Sequence, residues 1–235
     1  YTGLVTADVA AKRTLTGSTI TLTGGLDGGA QALGIIAGDL VTGAAMTNIT
    51  DLDVSGTASL GGSVTTADSL TIDGTLTLTT NITLDSTGND ATDNITLAAI
   101  SGTPGGATES LVLDAGAAGA ISVSGAVTGL EDLSLTLSDG ATFAAVTLNN
   151  DFTITGATTG ANITFNGNLS LGGDFITAAS NYNIAINEDI TVADQVTFTN
   201  TGLLVLGNGT DDILTFNGGL VATAASGITL AGTIN

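Results

Sequence analysis

The chain has 235 residues and carries 22 acidic side chains against only Lys12 and Arg13, which gives a formal net charge of −20 at pH 7. Such an acidic chain lacks the basic surface that nucleic acids require, and no run of about 18 apolar residues is present to span a membrane. We therefore expect neither nucleic-acid binding nor membrane insertion. Hydrophobic residues make up 43% of the chain but aromatic residues only 3%, which favours thin rungs of uniform aliphatic side chains over a mixed globular core.

Residues 1–14 are the least repetitive part of the sequence, and we interpret them as an irregular segment that forms a first rung. They contain both basic residues, so a second interpretation is a contact arm that places Lys12 and Arg13 on an acidic neighbour. The chain begins with Tyr1 rather than Met, which favours a mature product or a fragment of a longer chain. Residues 15–235 are predicted to form one continuous repeat domain.

The repeat is clearest in residues 69–85, where three units begin six residues apart: Leu70-Thr71-Ile72, Leu76-Thr77-Leu78 and Ile82-Thr83-Leu84. Because side chains alternate between the two faces of a strand, each unit places its aliphatic residues on one side and its threonine on the other. The three residues between units are too few for a helix and suit a tight turn. The chain is therefore predicted to make a short strand, bend and repeat, with the aliphatic residues inside the bend.

Similar units continue along the chain, and equivalent starts at Ile163, Ile184 and Leu204 lie 21 and 20 residues apart. The sequence thus predicts an all-β, single-stranded parallel β-helix (a β-solenoid) of about 20 residues per coil. Roughly eleven such coils at the usual strand spacing give a rod about 55 Å long. An all-β sandwich is the alternative, but six-residue steps are shorter than the spacing of about 8–12 residues that sandwiches usually show.

Two stretches carry a resemblance to a known family: residues 111–127 (LVLDAGAAGAISVSGAV) and residues 163–171 (ITFNGNLSL). They resemble the β-strand repeats of filamentous-haemagglutinin-type bacterial surface exoproteins, and the resemblance covers most of the chain from about Leu15 onward. It implies a right-handed parallel β-helix in a secreted adhesin or fibre at the cell surface.

Catalysis has little support, since the chain has neither His nor Cys to build a nucleophile–base pair. We predict a non-enzymatic protein with no catalytic residues. Neighbouring carboxylates, such as Glu188 with Asp189 and Glu131 with Asp132, leave open a polysaccharide-active β-helix enzyme. Aspartate at a turn, however, ordinarily bonds the backbone.

Two loops are candidate calcium sites, because each places one Asn and two Asp just before a strand. Their candidate ligands are Asn89, Asp90 and Asp93 in the first loop and Asn208, Asp211 and Asp212 in the second. Calcium takes six to eight oxygen ligands, which such loops supply. Asn and Asp at corners also serve turns without any metal. Calcium is the only cofactor that the sequence suggests.

Six Asn-x-Ser/Thr sequons are candidate glycosylation sites in a secreted protein. They are Asn48, Asn81, Asn94, Asn162, Asn168 and Asn208.

The repeat continues almost to residue 235, and no polar cap follows it. Uncapped rungs favour stacking on further rungs. The predicted assembly contacts are Lys12, Arg13, Leu15, Ile20, Leu22, Ile228, Leu230 and Ile234. The partner is another copy in a head-to-tail polymer or adjoining repeats of a longer chain. We expect an extracellular, non-enzymatic filament or adhesin stalk; the alternative is an adhesin module that binds calcium, a surface glycan or a receptor.

Overall fold

A computed structural model describes residues 1–6, 12–88 and 90–235, and all of its extended segments belong to one parallel sheet that winds around a core. The strands are β1 (Val5–Thr6), β2 (Arg13–Leu22), β3 (Leu26–Thr42), β4 (Met46–Val54), β5 (Thr57–Leu60), β6 (Val64–Thr66), β7 (Leu70–Ile72), β8 (Leu76–Leu78), β9 (Ile82–Asp85), β10 (Ile95–Leu97), β11 (Ile100–Ser101), β12 (Leu111–Asp114), β13 (Ile121–Val123), β14 (Val127–Leu130), β15 (Leu133–Leu137), β16 (Ala141–Phe143), β17 (Val146–Leu148), β18 (Phe152–Ile154), β19 (Asn162–Phe165), β20 (Leu169–Leu171), β21 (Phe175–Thr177), β22 (Asn183–Ile186), β23 (Ile190–Val192), β24 (Val196–Thr197), β25 (Leu203–Leu206), β26 (Ile213–Phe216), β27 (Leu220–Val221), β28 (Gly227–Leu230) and β29 (Thr233–Ile234). The described residues include no helix long and apolar enough to cross a membrane.

The strands stack in three rows, because from β5 onward each strand pairs in parallel with the third strand after it. We name the rows by the strands of one coil: face A contains β7, face B contains β8 and face C contains β9. The longer strands β2, β3 and β4 run around corners and contribute to more than one face, as shown by the pairing of β3 with β1, β2, β4 and β5. Every recorded pairing is parallel, so the sandwich alternative is wrong.

The register defines the coils. On face A, Arg13 pairs with Leu33, Leu33 with Leu52, Leu52 with Leu70 and Leu70 with Ile95, and the row continues to Ile228. The chain makes about 11 turns of roughly 21 residues. The predicted parallel β-solenoid of about 20 residues per coil is therefore confirmed.

Burial follows the alternation that the sequence predicted. In β7, Leu70 and Ile72 lie in the core while Thr71 between them is partly exposed, and β8 repeats the pattern. Stacking in register places each buried aliphatic residue on an aliphatic residue of the next coil, such as Leu70 on Ile95. Burying one such side chain contributes roughly 1.5–3 kcal/mol. The core is thus one continuous column along the rod.

Five of the six phenylalanines lie together. Phe143, Phe152, Phe165, Phe175 and Phe198 form a continuous stack inside the later coils, with neighbouring ring centroids 5.1–5.9 Å apart. Most of these contacts are edge-to-face, which suits the charge distribution of aromatic rings. Composition had suggested a uniformly aliphatic core, and the stack is a local departure from it.

The N-terminal segment joins the sheet. Val5 of β1 pairs with Leu26, and Arg13 of β2 pairs with Leu33, so both strands stack on the second coil. Lys12 is exposed and Arg13 is partly buried. Residues 7–11 of this segment lie outside the described residues, so the irregular first rung and the contact-arm role both stay predictions.

Candidate functional site

The acidic corner comprises Asp68, Asp90 and Asp93, at the corner where face C turns into face A. Asp68 lies between β6 and β7, and the other two lie between β9 and β10. Because β6 pairs with β9 and β7 pairs with β10, the two connections stack on each other. Two consecutive coils therefore contribute carboxylates to one place.

The three carboxylates are close. One oxygen of each lies within 4.8 Å of one oxygen of the others, and burial runs from exposed Asp90 through partly buried Asp68 to fully buried Asp93. The Thr92 hydroxyl lies 2.6 Å from Asp68 Oδ1 and 2.5 Å from Asp90 Oδ1. A hydroxyl has one proton to donate, so it cannot fully satisfy both carboxylates. The corner holds concentrated negative charge.

Asp93 is the buried member of the acidic corner. Its Oδ2 accepts a hydrogen bond of 2.7 Å from the Asp90 amide, whereas its Oδ1 has no hydrogen-bond partner among the described residues. A β-carbon on Gly88 would lie 1.8 Å from the Ala67 carbonyl oxygen and 2.6 Å from Asp93 Oδ1. Both oxygens thus converge on space that only a glycine leaves open. The Ser86 hydroxyl, also buried, donates to the Asp93 carbonyl at 2.7 Å and holds the loop in place.

Asp90 is held in its ionised form. Hydrogen bonds from the side chain and then the backbone amide of Thr92 lower the pKa of Asp90 below its ordinary value. Hydrogen bonds that favour the charged form have this effect. The exposed edge of the acidic corner is therefore anionic at neutral pH.

The second predicted loop is built differently. Asp212 is buried, and its Oδ2 accepts hydrogen bonds of 2.7 Å from the Asn208 amide and 2.8 Å from the Gly209 amide. Asp211 is exposed. On the neighbouring coil, Asp189 Oδ1 accepts a hydrogen bond of 2.8 Å from the Ile213 amide, so that carboxylate also serves the backbone. Asp212 closes a turn, as aspartate at corners does without metal.

Sequence reasoning placed Asp90 and Asp93 in a candidate calcium site and missed Asp68. The coil register could have found it: Leu70 is equivalent to Ile95, so the residues just before Leu70 stack against the loop just before Ile95. Asn89, the third predicted ligand of this loop, lies outside the described residues.

The predicted glycosylation sites all lie at corners or strand ends with exposed or partly exposed side chains. Several also support the stacking of coils. Asn81 Oδ1 accepts from the Ser110 amide at 2.9 Å, and Asn94 Oδ1 accepts from the Ala120 amide at 2.9 Å. Asn162 Oδ1 accepts from the Asn183 side chain at 3.0 Å. Glycosylation itself stays a prediction.

The neighbouring carboxylates considered for glycoside cleavage include residues that bond the backbone. Asp132 Oδ1 accepts from the side chain of Asn150 and the amide of Asp151, at 2.9 and 3.2 Å. A cavity of about 470 Å³ is lined by residues 101–107 with Thr128 and Gly129, and none of these is acidic. This cavity offers no pair of carboxylates across a groove.

The predicted assembly residues fall into two groups. Ile228, Leu230 and Ile234 of the last coil are 46, 50 and 51% exposed, although Leu204, Leu206 and Leu214 at equivalent positions of the preceding coil are fully buried. Leu15 and Ile20 of β2 are partly buried. Leu22 lies fully in the core, and its side chain is not part of an exposed end.

We compared the chain with protein-family models, with curated proteins and with solved structures, and none of them matched.

Proposed function

We propose that this chain is a non-enzymatic structural rod of the cell exterior, lengthened by the stacking of coil on coil. One observation carries the proposal: the apolar cross-section of the solenoid is open at the last coil, where Ile228, Leu230 and Ile234 are about half exposed. Among the described residues, no strand pairs with the outer edges of β28 and β29. Aliphatic side chains beside free strand edges match another coil of the same shape.

Two features of the composition are consistent with a structural rod outside the cell. The absence of Cys suits an oxidising space, and a net charge of −20 keeps the sides of neighbouring rods apart. Contact between rods is then favoured at their ends, where apolar surface and hydrogen-bonding groups coincide. The stacked coil is either supplied by adjoining repeats of the same protein or by a second copy, and head-to-tail contact between copies would produce an open filament.

Electron microscopy of the purified 235-residue chain tests the proposal. We expect unbranched fibres of constant width for the unsubstituted protein and short single rods for a variant with Ile228→Asp and Leu230→Asp, because charges in the apolar cross-section prevent stacking. The matched control carries Thr229→Asp and Thr233→Asp, which add the same charge to outward positions of the same coil.

The control variant should form fibres as the unsubstituted protein does. Only short rods from the unsubstituted chain would refute stacking between copies, and fibres from the Ile228 and Leu230 variant would place the contact elsewhere.

A further inference from the structure

We propose that the acidic corner is a calcium site that clips two consecutive coils together. Its protein ligands are the carboxylates of Asp68, from one coil, and of Asp90 and Asp93, from the next. This site is independent of whether the rod assembles end to end. It differs from the site that the sequence suggested, because Asp68 belongs to a different loop.

The unpartnered oxygen of Asp93 is the main observation. Asp93 is completely buried, yet within residues 1–6, 12–88 and 90–235 its Oδ1 has no hydrogen-bond partner. The chemically similar Asp212 has an oxygen that accepts hydrogen bonds from two backbone amides. A buried carboxylate without compensation is unfavourable. A bound cation supplies the missing partner for this oxygen and offsets the repulsion among the three carboxylates.

No basic side chain of this protein can take the cation's place. Lys12 and Arg13 are the only basic residues in the chain. Arg13 stands three rungs from Leu70 on face A, which is about 14 Å along the axis at the usual strand spacing. That distance is too long for an ion pair with the corner. Lys12 precedes Arg13 directly, so neither basic side chain is placed to supply a compensating positive charge at the corner.

The ligand set identifies the class of cation. All the available donors are oxygens: three carboxylates, the Thr92 hydroxyl between two of them, and the Ala67 carbonyl that converges with Asp93 Oδ1 beside Gly88. Hard cations prefer such donors, and oxygens on opposite sides of Ca²⁺ lie about 4.6–5.2 Å apart. The carboxylate separations, within 4.8 Å, suit that sphere. Mg²⁺ is smaller, with ligands at about 2.0–2.1 Å, and usually keeps several waters instead of binding a set made of protein oxygens, so Ca²⁺ is the cation that we assign.

Calorimetric titration of the calcium-free chain with CaCl₂, together with thermal melting at increasing CaCl₂, tests the site. We expect one class of sites and a melting temperature that rises with calcium concentration, because a ligand that binds only the folded state stabilises it. MgCl₂ at equal concentrations should give a weaker response.

Three variants remove one charge each: Asp68→Asn, Asp93→Asn and, as the control, Asp212→Asn. Asp68→Asn and Asp93→Asn should weaken calcium binding at least about tenfold, since even outer-shell partners of a metal cost about 10–100-fold when replaced. Asp212→Asn should bind calcium as the unsubstituted chain does. If Asp93→Asn fails to fold, Asp68→Asn decides the test, because Asp68 is only partly buried and sits in a short connection.

No calcium binding by the unsubstituted chain would overturn the proposal. Equal behaviour of the three variants would also overturn it, since that result would indicate diffuse attraction to an acidic surface. An equal response to magnesium would overturn the assignment to calcium.

Discussion

The two loops that precede β10 and β26 look alike in sequence and differ in structure. Each contains Asn and two Asp, and in each the last aspartate is buried and accepts a backbone amide from its own loop. In the second loop one carboxylate oxygen of Asp212 accepts hydrogen bonds from two backbone amides. In the first loop, as far as the structure describes it, Asp93 accepts a hydrogen bond from one amide and keeps an unpartnered oxygen, and Asp68 of the preceding coil lies nearby.

The difference shows that the role of a corner carboxylate depends on the residues of the adjacent coil that stack against it. Asp189, on the coil next to the second loop, is engaged by the Ile213 amide. Asp68, on the coil next to the first loop, faces the single hydroxyl of Thr92 and two further carboxylates. The sequence of each loop by itself therefore indicates a turn. A candidate ion site arises in the first loop because stacking brings Asp68 of the preceding coil next to it.

The largest effect is expected for Asp212→Ala, which leaves the amides of Asn208 and Gly209 without their acceptor. Losing a carboxylate acceptor in this partly buried turn costs about 1–3 kcal/mol. Asp93→Ala in calcium-free buffer should cost less, because the Asp90 amide is the one described donor that loses its partner and the repulsion in the acidic corner falls. Urea denaturation, combined with hydrogen exchange at the affected amides, measures both changes.

Exposed Asp211→Ala is the control for this comparison and should stay within about 0.5 kcal/mol of the unsubstituted chain. A larger loss for Asp93→Ala than for Asp212→Ala would show that the two corner aspartates do not differ as described.

A smaller difference in stability is expected between alanine variants of two serines. The two serines occupy equivalent corner positions, two coils apart. Ser86 and Ser138 are both fully buried; the Ser86 hydroxyl donates to the Asp93 carbonyl, while that of Ser138 has no partner. Ser86→Ala should destabilise the protein by about 1 kcal/mol, since a buried carbonyl loses its donor. Ser138→Ala should be neutral or stabilising, because it removes an unsatisfied hydroxyl.

In the coil between them the equivalent residue is Ala115, which is fully buried. An alanine is therefore already accommodated at this corner. Thermal melting in calcium-free buffer compares the two variants. Equal losses for both would mean that the Ser86 hydrogen bond does not hold the loop.

Much of the fold could be predicted because the determinants are local. The alternation in Leu70-Thr71-Ile72 fixes which side chains face inward, and six-residue steps set the corners. Local patterns do not show which strands pair when a long insert separates them. Residues 86–94 lengthen the coil from Leu70 to Ile95 to 25 residues, and residues 102–110 lengthen the coil from Ile95 to Ile121 to 26, rather than about 20.

The candidate site shows the same limit. Asp90 and Asp93 could be identified within one loop, but Asp68 is 22 residues before Asp90 and joins it only through stacking. For Asp212 the sequence left both a turn role and calcium binding open, because the local sequence does not show which backbone amides donate to a side chain. The phenylalanine stack depends on the same register, since Phe143 lies on Phe165 only when β16 and β19 are paired.

The smallest effects concern pH and should have opposite signs at two corners. Burial, followed by the charges of Asp151 and Asp194, raises the pKa of Asp174, whereas hydrogen bonds from Thr92 lower the pKa of Asp90. A carboxyl with a raised pKa stabilises the fold below its unfolded pKa, and that contribution is lost as pH rises through its folded pKa. A carboxyl with a lowered pKa contributes above its unfolded pKa, and that contribution is lost as pH falls.

Asp174→Asn should therefore raise the melting temperature at neutral pH, and the gain should disappear as pH falls toward about 4, the ordinary range of aspartate. Asp90→Asn in calcium-free buffer should lower the melting temperature at neutral pH, with a difference that shrinks over the same interval. Melting curves from pH 7 downward, with exposed Asp73→Asn as the charge-matched control, measure both trends. A gain in stability for Asp90→Asn at neutral pH would mean that repulsion from Asp68 and Asp93 outweighs the Thr92 hydrogen bonds. Electrostatic repulsion in the calcium-free corner would then destabilise the fold more than these hydrogen bonds stabilise it.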